Sequence, residues 1–188
     1  MVNQSKPTVA IFGGSFDPPH KGHQRIVEKA MKDLEIDLLL VVPAYLNPFK
    51  RSSLASASKR LEWCHNLFDT VEKVTVDDYE IKQGKSVSTS QSVHYFQSMY
   101  DVRYLIIGSD NLSSLHLWHN FEWLNTQITW VIVTRNAHPL DINGLRKWKV
   151  LHINALISST DIRNTKDVDY IDYKIKESVK EILKGNNE

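Results

Sequence analysis

Two patterns of apolar positions alternate along the chain. Short, almost continuous apolar runs are followed by segments in which apolar residues recur every three or four positions. The continuous runs are typical of strands that are covered on both faces and therefore have no polar side. They predict strands over 8–12, 38–42, 74–76, 104–107 and 128–133, with a weaker strand near 150–153.

The segments between the runs have the spacing of amphipathic helices, with apolar stripes at 26–34, 61–68, 93–100 and 171–182. Strands that alternate with helices predict a parallel sheet with helices on both faces. Right-handed crossovers make this a doubly wound, Rossmann-like α/β fold. In such folds ligands bind beyond the carboxyl ends of the strands, so we expect the site in the loops that follow them.

The chain length of 188 residues fits a single domain over 1–188, on which a C-terminal helical segment of about 158–184 packs. We find no internal repeat and no linker. The segment 136–149 shows neither periodicity, and the sequence predicts no role for it.

Composition narrows the class of protein. Lys and Arg number 23 against 22 Asp and Glu, a formal net charge of +1, which is not the broad positive surface typical of nucleic-acid or membrane binding. Cys64 is the one cysteine and cannot form an internal disulfide, and the apolar runs are too short to span a bilayer. No secretory region precedes the first charged residues. We therefore expect a cytoplasmic protein that binds neither nucleic acid nor membranes.

The loop after the first strand carries the strongest chemical signal, GGSFDPPHKGH at residues 13–23. Glycines permit a tight turn and a close approach to a ligand, and backbone amides there can bind anionic oxygen. His20 and His23 are three residues apart where a helix begins, and a helix N-terminus favours a bound phosphate. Their imidazoles can donate to phosphate oxygens as charge develops in a transition state. The glycine patterns of dinucleotide-binding dehydrogenases and of P-loop proteins do not occur here.

The loop closely resembles the G-G-[ST]-F-D-P-x-H-x-G-H signature of the H-x-G-H nucleotidyltransferases. The doubled glycine and the chain length resemble one family among them, the nicotinate-nucleotide adenylyltransferases, and further motifs recur in that family's order over nearly the whole chain. The resemblance implies adenylyl transfer from ATP to nicotinate mononucleotide, which yields deamido-NAD and pyrophosphate. It implies His20 and His23 as catalytic residues and Gly13, Gly14 and Ser15 as contacts of the ATP phosphates.

Two further motifs belong to the ATP side of this resemblance. The segment 157–163, ISSTDIR, is similar to the family's I-S-S-T-x-[IL]-R, and 107–110, IGSD, is similar to its I-G-x-D. A serine at 158 or 159 can cap a helix whose first amides, together with a guanidinium, hold phosphates. The resemblance assigns ATP binding to Ser159, Thr160, Arg163, Gly108, Asp110 and Arg135.

The mononucleotide side follows from the same resemblance. Lys50 matches a basic residue that meets the substrate phosphate, and Trp118 with His119 matches the position of a tryptophan that stacks on the pyridine ring. Thr89 is the best match for the threonine of the family's S-Y-T motif. This chain departs from the pattern twice, with Phe49 where many members have histidine and with no tyrosine in 86–92.

Other interpretations stay open at this stage. Phosphopantetheine adenylyltransferase is a sister enzyme, but a single glycine in the first loop and a shorter chain are usual there. A non-catalytic nucleotide-binding regulator is expected to lack one of His20, His23 or Arg163. The histidines show no metal-ligand spacing, and no carboxylate cluster offers a cage, so we expect Mg²⁺ to be carried by ATP. The sequence leaves the oligomeric state open, a homo-oligomer included.

Overall fold

The computed structural model describes residues 5–134, 140–153 and 157–185. Its six strands are β1 (Thr8–Gly14), β2 (Leu38–Pro43), β3 (Val74–Val76), β4 (Asp101–Gly108), β5 (Thr129–Thr134) and β6 (Trp148–His152). They form one sheet in the order β3-β2-β1-β4-β5-β6, and every neighbouring pair is parallel. The predicted doubly wound α/β fold is therefore confirmed.

The strand register brings the carboxyl ends of the central strands to one edge of the sheet. Gly14 of β1 lies beside Pro43 of β2, and Gly108 of β4 lies beside Val133 of β5. β1 and β4 are adjacent in the sheet although β2 and β3 separate them in sequence. This is the switch point of the topology, where the connections leave in opposite directions and a crevice opens.

Helices cover the sheet: α1 (Lys21–Asp33), α2 (Ala57–Phe68), α3 (Tyr79–Lys82), α4 (Thr89–Gln97), α5 (Phe121–Gln127), α6 (Ser159–Thr165) and α7 (Tyr173–Gly185). A 3-10 helix, Ser109–Leu117, follows β4. The sequence did not predict α3, α5 or the 3-10 helix. Within the described ranges, no helix has the length and apolar character needed to cross a membrane.

Alternate residues of each central strand enter two separate cores. Phe12 and Ile106 face the side covered by α1, α2, α6 and α7, whereas Ile11 and Leu105 face the side covered by α4 and α5. Both faces of the sheet are thus apolar, which explains the continuous apolar runs in the sequence. Ile162, Ile175 and Val179 bring the C-terminal helices into the first core.

The buried Asn125 side chain holds part of the segment 136–149, for which the sequence predicted no role. Its Nδ2 donates to the carbonyl of Gly144 at 2.7 Å, and its Oδ1 accepts from the amide of Arg146 at 3.0 Å. Leu140 and Leu145 pack against the second core. The described part of this segment is therefore a tethered connection that leads into the edge strand β6.

Candidate active site

A cavity of about 940 Å³ opens at the carboxyl ends of β1 and β4, as the fold predicts. Segments that lie far apart in sequence line it together. Among the predicted site residues, those on its wall are Gly13, Gly14, Ser15, His23, Lys50, Thr89, Gly108, Asp110, Trp118, His119, Ser159, Thr160 and Arg163. Arg135 lies outside the described residues.

His20 and His23 form the start of helix α1. His20 is the N-cap residue, and its Nδ1 accepts from the amide of Gly22 at 3.1 Å. The His23 Nδ1 accepts from the amide of His20 at 3.1 Å, which completes a capping box, and the ring centroids are 3.9 Å apart. Because both Nδ1 atoms accept a backbone proton, the neutral rings carry their protons on Nε2. Each ring is thereby prepared as a hydrogen-bond donor through Nε2.

The two histidines differ in their access to the cavity. The His23 ring lines the cavity wall. His20 is only 1% exposed and lies behind the cavity wall. His23 is therefore placed for direct contact with a ligand, whereas His20 supports the helix start and the orientation of its neighbour's ring.

The tight turn of the first loop lies at Phe16 and not at the glycines, which corrects the prediction. Gly13 and Gly14 are the last residues of β1, and neither has a positive φ. Phe16 has φ 48°, a left-handed conformation that is costly for an aromatic residue. A Cβ at Gly14 would stand 3.2 Å from the Phe16 ring, so this glycine makes room for that side chain.

Asp17, which is buried, ties the first loop to the loop before α2. Its carboxylate accepts from the amides of Leu54 at 2.7 Å and Ala55 at 3.0 Å. Charge-assisted bonds of this kind are stronger than neutral ones. Both carboxylate oxygens of Asp17 are therefore used to hold the site wall.

Arg60 on α2 is a buried residue behind the site wall that the sequence did not predict. Its guanidinium donates to the carbonyls of Ser15 at 2.7 Å, Ala44 at 2.6 Å and Tyr45 at 2.6 Å, and its Nε donates to Ala55 at 3.3 Å. One side chain therefore joins the loop after β1 to both ends of the loop between β2 and α2, behind the cavity. Burial lowers the pKa of Arg60, an effect that the nearby Asp17 opposes.

The C-terminal motif is bonded directly to the first loop. Ser158 caps α6, the Ser159 hydroxyl donates to the carbonyl of Pro18 at 2.9 Å, and Arg163 donates to the carbonyl of Asp17 at 2.6 Å. Arg163 also donates to the Thr160 hydroxyl at 2.9 Å. In this arrangement Ser159 anchors the loop, while the Thr160 hydroxyl, which acts as an acceptor, keeps its own proton for another partner.

Lys50 brings a positive charge to the same wall. Its Nζ lies 3.2 Å from the Ser15 hydroxyl, to which it donates. Burial and the neighbouring Arg163 are the main causes that lower the pKa of Lys50; Asp17 and Asp110 act in the opposite direction. Two cations held this close repel one another, so an anion that binds between them would be stabilised.

At the predicted turn after β4, the space beside Gly108 is occupied by a neighbouring side chain. A Cβ at this position would collide with the Asp110 carboxylate. The carbonyl of Gly108 accepts from the Asn111 side chain at 3.2 Å, which fixes the start of the 3-10 helix. Gly108 therefore leaves room for the Asp110 carboxylate at the cavity wall.

Trp118 and His119 face the N-terminus of α4 across the other end of the cavity. His119 Nδ1 lies 3.0 Å from the Ser90 hydroxyl, and Ser88 caps α4, whose first residue, Thr89, lines the same cavity. Trp118 also packs edge-on against the buried Trp130, with ring centroids 6.2 Å apart. Trp118 therefore both lines the cavity and packs against the core.

Comparison with known proteins identifies relatives of this chain. The family model for cytidylyltransferase-like proteins matches residues 11–165. A probable nicotinate-nucleotide adenylyltransferase of Sulfurovum sp. (strain NBC37-1) is 65% identical over 188 residues, which cover 100% of both chains. A probable nicotinate-nucleotide adenylyltransferase of Campylobacter jejuni subsp. jejuni serotype O:23/36 (strain 81-176) is 42% identical over 92% of this chain and 94% of its own.

A solved structure supports the fold. The nicotinic acid mononucleotide adenylyltransferase of Plasmodium falciparum, complexed with NaAD, superposes with a TM-score of 0.73 at 20% sequence identity, and 96% of each chain is covered. With this fold, a cavity at its switch point and relatives that match over at least nine-tenths of its length, the chain belongs to the nicotinate-nucleotide adenylyltransferases, a family of nucleotidyltransferases.

Proposed function

We propose that this protein transfers the adenylyl group of ATP to nicotinate mononucleotide. The observation that carries the proposal is the convergence of His23, Lys50 and Arg163 with the first residues of α6 on one cavity. Imidazole, ammonium, guanidinium and helix amides are the groups that bind phosphate in proteins. The cavity of about 940 Å³ has a cationic end, with Lys50 and Arg163, and an aromatic end, with Trp118, which is the arrangement that two nucleotides require.

In the proposed reaction a phosphate oxygen of the mononucleotide attacks the α-phosphorus of ATP. The new bond forms as the bond between the α-phosphorus and the bridging oxygen to the β-phosphate breaks, and pyrophosphate leaves with that electron pair. The substrate supplies the nucleophile, so the protein contributes position and charge stabilisation. We assign His23, oriented with His20, to the charge that develops on the bridging oxygen.

The other residues hold the ground-state ligands in this proposal. Arg163 and Thr160 bind the triphosphate, Asp110 accepts from a nucleotide ribose hydroxyl, and Lys50 neutralises the incoming phosphate. Thr89 and His119 provide amides for the pyridine carboxylate, and Trp118 stacks on its ring. Gly13, Gly14 and Ser15 border the phosphates, and a contact of Arg135 with the adenosine stays a prediction.

We also propose that Mg²⁺ enters with the triphosphate, where it neutralises phosphate charge. No group of three His, Cys, Asp or Glu side chains that could hold a metal occurs among the residues described. Asp17, a carboxylate next to the site, is already committed to two backbone amides. Magnesium commonly keeps several waters and binds through substrate phosphates, which fits this donor set.

A pyrophosphate-release assay with ATP tests the function and its substrate together. At about pH 6 we expect kcat/KM for nicotinate mononucleotide to exceed that for nicotinamide mononucleotide roughly ten- to a hundredfold, because amide donors pair with a carboxylate and not with an NH₂ group. Trp118→Ala should lower both values about tenfold and leave their ratio unchanged, because stacking is common to both rings.

Trp148→Ala is the matched control, since Trp148 is half-exposed on the edge strand β6 and does not line the cavity. Turnover of phosphopantetheine in place of nicotinate mononucleotide would contradict the proposed substrate. A ratio that collapses in Trp118→Ala would show that the ring itself distinguishes acid from amide.

Arg163→Ala is expected to raise the KM for ATP roughly tenfold or more and to change kcat less, because a guanidinium–phosphate contact present before reaction contributes to ground-state affinity. Arg103→Ala is the control, as Arg103 pairs with Asp101 on the surface outside the cavity. An unchanged ATP titration in Arg163→Ala would refute the phosphate role of this motif.

A further inference from the structure

Glu80 is a mostly buried carboxyl group that the proposed reaction does not use. It lies on the four-residue helix α3 and contributes to the cavity wall together with Thr89, Ser92 and Trp118. It therefore stands at the end of the cavity to which we assign the pyridine ring. An acidic side chain at this place is unexpected for a site that accepts a second carboxylate, because two like charges repel strongly where water is scarce.

The carboxyl is held by one hydroxyl. Ser92 Oγ donates to Glu80 Oε1 at 2.6 Å. Within the described parts of the chain, Ser92 is the hydrogen-bond partner that the structure gives to this carboxyl. The second carboxyl oxygen is not among the buried side-chain atoms that lack a partner. Since Glu80 lines the cavity, that second oxygen is the one within reach of a ligand.

Among the residues that the structure describes, no cation compensates a charge on Glu80. Helix α3 packs against β2, α2 and α4, and β2 has no ionisable side chain. The ionisable groups on α2, α4 and the α3 segment have other partners: Asp78 with Lys82, Lys59 with Glu62, His65 with Asp69, Tyr95 with Tyr79, His94 with Trp123, Asp77 with the Tyr79 amide, and Arg60 with loop carbonyls. Across the cavity, His119 is bonded to Ser90.

Burial without a counter-charge determines how this group titrates. It raises the pKa of Glu80 to about 7, against the smaller opposing effect of the Ser92 hydrogen bond. The neighbouring Tyr79 has a pKa that burial raises above its usual value, so it is neutral in the same range and adds no charge. Glu80 is thus a neutral acid below about pH 7 and a carboxylate above it.

We propose that the protonation state of Glu80 selects between the acid and the amide form of the pyridine mononucleotide. This inference rests on the proposed function. The neutral acid can donate to the substrate carboxylate, whereas ionised Glu80 repels that carboxylate and accepts from the NH₂ group of an amide. The preference for nicotinate therefore weakens as pH rises through the titration of Glu80.

The test is the ratio of kcat/KM for nicotinate mononucleotide to that for nicotinamide mononucleotide, measured from about pH 5.5 to 8.5. Both substrates carry the same phosphate, so its titration and that of the phosphate-binding residues cancel in the ratio. In the wild type we expect the ratio to fall about tenfold across this range, because a hydrogen bond from Glu80 to the substrate carboxylate is replaced by repulsion between two carboxylates. In Glu80→Gln we expect a ratio that does not change with pH.

Two further variants sharpen the test. Asp77→Asn removes a partly buried carboxyl on the same segment but outside the cavity wall, and it should follow the wild-type curve. Ser92→Ala removes the hydrogen bond that lowers the pKa of Glu80, so its curve should shift to higher pH. A purely structural role of Glu80 would not move the midpoint in Ser92→Ala.

Equilibrium binding of each mononucleotide alone, near pH 6 and near pH 8, gives a readout that does not depend on turnover. A wild-type binding ratio that is the same at both pH values would overturn the inference, and so would a pH dependence that persists in Glu80→Gln. Failure of the proposed function is a separate result, namely no pyrophosphate release from ATP with nicotinate mononucleotide at any pH.

Discussion

Removing the imidazole of His23 should lower kcat by about two orders of magnitude or more, the usual effect of losing a transition-state donor, and removing that of His20, which packs against it, should lower kcat by a smaller factor. Alanine alone would confuse this result, because both side chains also cap α1. We therefore choose His20→Asn, which keeps a side-chain acceptor at the N-cap. We also choose His23→Gln, which keeps at position N3 a side chain that can accept from the N-cap amide.

Steady-state kinetics and thermal unfolding, measured on the same preparations, separate the two roles. We expect both variants to melt close to the wild type and to keep ATP affinity within a few-fold while kcat falls. His23→Gln should show the larger loss, since His23 lines the cavity and His20 lies behind it. Near-normal turnover in both folded variants would show that the imidazoles are not catalytic.

The strands were predictable from the sequence because each central strand sends alternate residues into two apolar cores. Every predicted run coincides with an observed strand to within a few residues. Helices α3 and α5 were not predictable in the same way, since they have only four and seven residues and are too short for a stripe to repeat. The 3-10 helix Ser109–Leu117 has another periodicity altogether.

The site was predictable where its chemistry lies in contiguous motifs. The segments 13–23 and 157–163 meet as expected, through the bonds of Ser159 and Arg163 to the first loop. The position of the turn at Phe16 was not predictable, because glycine is the residue normally expected at a positive φ.

Arg60 and Glu80 escaped prediction for a different reason. A charged residue in a helix is normally assigned to the solvent side, because Lys, Arg, Asp and Glu are almost never fully buried. Arg60 is buried because loops distant in sequence present their carbonyls to it. Glu80 is mostly buried at the cavity wall, where a serine on another helix donates a hydrogen bond to it. Only the assembled fold shows either environment.

Arg60→Met should lower the free energy of unfolding by about 3–5 kcal/mol, because it leaves four carbonyls of two loops without their donor in a buried place. Methionine is similar in length and keeps much of the packing, so the loss reports the hydrogen bonds. Urea unfolding measures it. Lys59→Met is the matched control: Lys59 is the preceding residue, pairs with Glu62 at the surface, and should contribute less than about 1 kcal/mol.

A second effect of Arg60→Met should appear in the folded protein, well below its melting temperature. The guanidinium sets the spacing between the loop of Ser15 and the loop of Ala44 and Tyr45, which carries Lys50 to the cavity. Because a small displacement of positioning groups costs up to a hundredfold in rate, we expect kcat/KM to fall about tenfold or more, with Arg60→Lys recovering part of it. A variant with wild-type stability and turnover would show that the two loops hold their places without Arg60.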